Sequence, residues 1–115
     1  MLTKIVEKLK TGSLKTVVPF GSKLPNPPYI VVKPETVPGR GRRFRIIIHY
    51  KKGQQSQLED TLRKTIVLLS EYQVASRHGA VNRLGRVESI TDIVVGNSDD
   101  TISMEAAFLM PTRTF

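Results

Sequence analysis

The chain has no cysteine and no tryptophan, only two histidines (His49 and His78), and seven phenylalanines and tyrosines in 115 residues. The missing thiols exclude disulfides, thiolate zinc sites and cysteine nucleophiles, and two imidazoles are too few for a histidine-based metal centre. No window approaches the roughly 18 apolar residues of a membrane span, and Met1, Leu2, Thr3 and Lys4 do not begin a signal-peptide core. The expectation is a cytoplasmic chain with no membrane contact, no metal and no cofactor. At this length about two-thirds of the unfolded surface is buried on folding, which suits one domain covering residues 1–115.

Acidic residues are scarce in one part of the chain and dominate another. Residues 1–86 carry seventeen Lys and Arg against five acids, a net of about +12, whereas residues 87–115 carry Arg113 against Glu88, Asp92, Asp99, Asp100 and Glu105, a net of about −4. Such asymmetry suits an anionic partner for the basic part, or contact between copies in which unlike ends meet.

Apolar periodicity supplies the elements. Leu2, Ile5, Val6 and Leu9 recur at helical spacing and predict a short helix over residues 2–11, with Gly12 expected as a C-terminal residue tolerant of positive φ. Thr16 to Phe20 reads as a short strand, and Gly21 to Pro28, with three prolines, as a loop. Tyr29 to Lys33 is rich in β formers. Pro34 to Arg43, ten residues that nothing apolar would pin down, predicts a mobile, basic hairpin arm. In the following strand Phe44, Ile46, Ile48 and Tyr50 share one face, and Arg45, Ile47 and His49 the other. Ser56 and Glu59 match a capping box, and Leu58, Leu62, Ile66 and Leu69 mark one face of a main helix over 57–72, about 24 Å long. Gln73 to Arg86 is expected to be a loop. Val87 to Val95 and Thr101 to Met110 read as a hairpin around Gly96 to Asp100. The fold class is α+β: a mostly antiparallel sheet of four to five strands, one long helix packed on it, and a short N-terminal helix.

Nothing in this pattern points to catalysis. Neither histidine lies in a triad or elbow context. Glu59 with Asp60 reads as a helix N-terminal pair, and Asp99 with Asp100 as turn residues. Gly39 and Gly41 lead into a strand, not into the helix N-terminus that a phosphate loop requires. A nucleic-acid-binding module is the alternative, because Arg40, Arg42, Arg43 and Arg45 surround Phe44 as basic and aromatic residues do in single-strand binders. Against it, Phe44 shares the apolar face with Ile46 and Ile48, which leaves no stacking platform.

The order of pieces resembles the tail terminators, small neck and tail-completion proteins of long-tailed bacteriophages. An N-terminal helix leads to a proline-flanked strand (Pro27-Pro28-Tyr29-Ile30-Val31-Val32-Lys33-Pro34). An excursion follows, then the strand Phe44 to Tyr50, the linker Lys51 to Ser56, the helix Gln57 to Tyr72, and a terminal hairpin. The resemblance spans nearly the whole chain and carries no catalytic motif. It implies a virion protein that forms a homo-hexameric ring, caps the tail tube protein and offers the head-tail connector protein a docking surface, with DNA at most passing through the lumen. A head-side stopper or adaptor is the alternative within that class. The charge asymmetry gives the expected subunit contact: Arg40, Arg42, Arg43, Arg77 and Arg83 facing Glu88, Asp92, Asp99 or Asp100 of a neighbour, with Ile47, Leu109 or the N-terminal helix adding apolar area.

Overall fold

The structure is a computed structural model and describes residues 2–12, 14–70, 73–75, 81–83, 87–95 and 100–111. In chain order the elements are α1 (Leu2–Leu9), β1 (Val17–Pro19), β2 (Tyr29–Val37), β3 (Gly41–Lys51), α2 (Gln55–Leu69), β4 (Gln73–Ala75), β5 (Val81–Arg83), β6 (Val87–Ile90), β7 (Val94–Val95) and β8 (Thr101–Pro111). The class is α+β, as expected. The sheet is larger than expected and mixed. Six strands join in the order β1-β2-β3-β8-β6, with β7 also paired to β8, and β1 runs parallel to β2 while the other pairs are antiparallel.

Alternation in β3 and β8 decides where the core lies. Phe44, Ile46 and Ile48 are fully buried on one face, joined across the β3–β8 ladder by Phe108 and Ala106. Both helices close that face. Ile5 and Leu9 of α1 and Leu58, Leu62 and Leu69 of α2 belong to the same apolar cluster. Thr61 and Thr65 are the polar residues of α2 buried there; Thr65 donates to the Thr61 carbonyl at 2.7 Å, and the Thr61 hydroxyl meets the Tyr50 hydroxyl.

Several boundaries differ from the sequence expectation. The segment 34–43 continues the sheet: β2 and β3 stay paired from Tyr29↔His49 to Val37↔Gly41. Val37-Pro38-Gly39-Arg40 is a tight turn closed by the Arg40 N–H donating to the Val37 carbonyl at 3.0 Å, with Gly39 at φ +72°. Proline followed by a residue at positive φ is the type II arrangement. Pro34 is tolerated because the Ile30 N–H, four residues back on the same side, points to the Thr16 carbonyl beside β1, and β1 pairs only with Ile30 to Val32. Its missing N–H therefore falls on an open edge.

The helix α2 has 15 residues and starts at Gln55, so the expected capping box does not form. Gln54 is the N-cap and makes no side-chain capping bond. Gly53, at φ +95°, and the Gln54 N–H donating to the Lys51 carbonyl turn the chain before Ser56 is reached. Glu59 and Asp60 consequently lie beyond the first turn, and Asp60 pairs with Lys64 at 2.9 Å. Gly12 is not among the glycines at positive φ. A Cβ there would lie 3.1 Å from Leu68 Cδ2 and 3.2 Å from the Leu9 carbonyl, so the end of α1 packs closely against α2 at this point.

Within the stretch expected to be a loop, β4 and β5 form a two-stranded antiparallel ladder, Gln73↔Arg83 to Ala75↔Val81. The strand expected at Val87–Val95 is broken into β6 and β7, which pair with successive parts of β8. Between them Thr91 keeps the connection: its N–H donates to the Glu105 carbonyl at 2.9 Å and its hydroxyl accepts the Glu105 N–H at 3.0 Å.

Candidate interaction surface

The helices cover one face of the sheet. The opposite, outer face carries the other half of each alternation: Arg43, Arg45, Ile47 and His49 on β3, their β2 partners Glu35, Lys33, Val31 and Tyr29, and their β8 partners Leu109, Ala107, Glu105 and Ser103. Two regions with different chemistry follow from this register.

Toward the β2–β3 turn the outer face is ionic. Glu35 takes Arg45 Nε at 2.9 Å and Arg43 at 3.5 Å; Arg45 reaches Glu105 at 3.2 Å, and Arg43 reaches Glu88 at 2.6 Å. The result is one alternating chain, Glu88–Arg43–Glu35–Arg45–Glu105, running across four strands. Glu88 can join because the register of β6 on β8 shifts between Val87 and Ser89, a bulge that re-aims its side chain. The hydrogen bond from Arg45 is the main reason that the Glu35 carboxyl is held below the ordinary carboxylate value, and the Arg45 guanidinium is correspondingly raised.

At the other end the same face is apolar. Tyr29 stacks on His49 with ring centres 4.6 Å apart and planes 19° from parallel. The segment after β1 folds over this end, and Phe20, Gly21, Ser22 and Leu24 with Val31, Ile47 and His49 line a trough of about 420 Å³. Lys33 lies over the Phe20 ring, its Nζ 4.8 Å from the ring centre. Burial pushes the His49 imidazole below its ordinary value, so it is neutral at pH 7.

The expected contact residues separate in the structure. Arg42 and Arg43 project to opposite faces, Arg42 exposed and Arg43 in the ionic chain; Arg40 is exposed in the turn. These arginines therefore do not form one patch. Glu88, expected to meet a neighbour's arginine, pairs with Arg43 of its own chain. Ile47 lines the trough. Asp92 and Asp100 are exposed, and among the described residues neither joins an ion pair. The Asp100 carbonyl accepts the Lys52 N–H at 2.7 Å. Arg77 and Asp99, like His78, lie outside the described residues; of Arg83 the backbone alone is described, opposite Gln73.

Sequence reasoning missed Glu35, Phe20, Leu24 and Tyr29. The Pro38-Gly39 pair was the signal for the first: once it is read as a turn, Glu35 stands opposite Arg43 and Lys33 opposite Arg45. Among the described residues no group of three or more His, Asp or Glu is arranged to hold a metal ion, and no helix is long and apolar enough to cross a membrane. No protein-family model matches the chain, and no curated protein matches it significantly.

Proposed function

We propose that this protein is a structural subunit of the neck of a long-tailed bacteriophage, a tail terminator that closes into a ring on the finished tail tube and offers the head connector its docking surface. The observation that carries the reading is the division of the sheet: one face is sealed by helices, and the other bears an apolar trough, with further exposed aliphatic side chains along the β6–β7 edge. A chain of this size with surfaces of that kind suits assembly. The order of pieces, an N-terminal helix, a proline-flanked strand, a strand leading into the main helix and a strand-rich C-terminal part, is what the resemblance to tail terminators rests on. The partners would be further copies of the chain, the tube protein below and the connector above, with genomic DNA passing the lumen. Its place would be the virion, after assembly in the host cytoplasm.

Binding of single-stranded nucleic acid is less well supported. Phe44, the aromatic ring amid the arginines, is fully buried against the helices and offers no base a stacking surface. Electron microscopy of the purified protein, paired with DNA binding at 50 and 200 mM salt, tests the reading. Rings of uniform diameter with weak adsorption to DNA are expected. Isolated particles that bind DNA tightly and lose about a thousandfold in affinity over that salt range would overturn it.

A further inference from the structure

We infer that β6 is a releasable guard strand: it covers the backbone edge of β8 and is latched there by the Arg43–Glu88 ion pair, so that breaking this one pair frees β6 while the rest of the sheet stays closed. The inference concerns the single chain and does not depend on the assembly proposed above.

The sheet ends on β1 at one side and on β6 and β7 at the other, and the two sides are guarded differently. At the first, Pro19 and Pro34 have no N–H to offer an incoming strand. At the second, the cover over β8 is a strand. Glu105 shows which backbone groups it covers: the Glu105 N–H and carbonyl both turn to Thr91, so those of Ala107, two residues on, turn to β6. Those of Ala106 and Phe108 turn the other way, to β3. Without β6 the outward groups of β8 would be a template for pairing with another chain.

Little else holds β6 down. Its ladder has three pairs with β8, interrupted by the bulge at Glu88, where β3 has eleven. Val87 packs against the apolar cluster, but Ser89 is exposed, and Ile90, turned to the helix side by its pairing with Ala106, is still 50% exposed. The strands before it, β4 and β5, pair with each other in a sheet of their own and add no ladder to the main one. After it, the two hydrogen bonds between Thr91 and Glu105 mark where the loosely held stretch ends. What β6 does have is the Glu88 carboxylate, which accepts from Arg43 Nη2 at 2.6 Å. Arg43 stands on β3, so the pair ties the outer strand to the middle of the sheet, across the strand it is laddered to. The two side chains are 22% and 33% exposed, open enough for salt to screen the pair.

Native-state hydrogen exchange followed by NMR tests this, with the Ala107 amide as reporter and those of Ala106 and Phe108 as references in the same strand. In the wild type Ala107 should be less protected than both references, and its protection should fall about twofold to fivefold further between 50 and 500 mM salt. Glu88→Ala should lower Ala107 protection about fivefold at 50 mM salt, leave the references within about twofold of wild type, and abolish the salt response. Equal protection at Ala107 and its references in the wild type would overturn the latch. So would a Glu88→Ala protein in which Ala107 keeps its wild-type protection or its salt response. Equal loss at all three amides would mean that the pair supports the sheet as a whole, and would overturn it as well.

Discussion

Glu35 is the residue on which the outer face turns, since it accepts from Arg45 and Arg43 together. Its carboxyl titrates below 4.5 in the folded chain and near that value when unfolded. A depressed carboxylate stabilises the fold fully above about pH 4.5, and that contribution disappears as pH falls through the folded value. His49 behaves in the same sense for a different reason: burial lowers its pKa, so the folded state resists the proton that the unfolded chain takes up near 6.5. Stability should therefore decline as pH falls below about 6.5, and again below about 4.5. Thermal melts of wild type, His49→Gln and Glu35→Gln between pH 7.5 and 3.5 check this. The first variant should lose the upper decline and the second the lower one; unchanged profiles in both would contradict it. The sequence exposed His49 as a strand residue on the mixed face. It could not reveal the Tyr29 stack, which exists only because Tyr29 pairs opposite His49.

At the scale of elements, the β2–β3 hairpin is the most informative departure from the sequence expectation. Proline and glycine at 38 and 39, followed by Arg40, Arg42 and Arg43, read as an unanchored arm because no apolar side chain beyond Val37 marks the pairing. The pairing is instead held by the continuing ladder and by Glu35 against Arg43 and Arg45, contacts that a hydrophobic pattern does not register. Gly39 at φ +72° is required by the turn. Gly39→Val should cost about 1–2 kcal/mol, the penalty of a side chain in the left-handed region, while Arg40→Ala in the same exposed turn should change stability little. Urea unfolding would measure both; equal effects would mean the turn is not under that constraint. The elements that were legible, α1, β3, α2 and β8, are those with strong apolar periodicity. The parallel β1 was legible as a strand but not in direction, and β4 and β5 are three-residue strands too short to leave a pattern. The start of α2 shifted because the turn at Gly53 acts before the Ser56 box can.

For the whole molecule, the division of charge along the chain was correctly seen in the sequence, but its use was not. The acids of the C-terminal part do not all wait for a neighbour: Glu88 and Glu105 are consumed by arginines of the same sheet, because β8 and β6 fold beside β3. What remains for assembly is largely apolar surface: the trough on the outer face and the exposed aliphatic side chains of β6 and β7. A contact of this composition should tolerate salt, since burial of aliphatic area is not screened as exposed ion pairs are. The most direct test is the native mass spectrum of the wild-type protein, with sedimentation at 50 and 500 mM salt. A single discrete multimer, unchanged in subunit number across that range, is predicted; a monomer at high protein concentration, or an open-ended ladder of sizes with no preferred number, would contradict a closed ring of identical subunits.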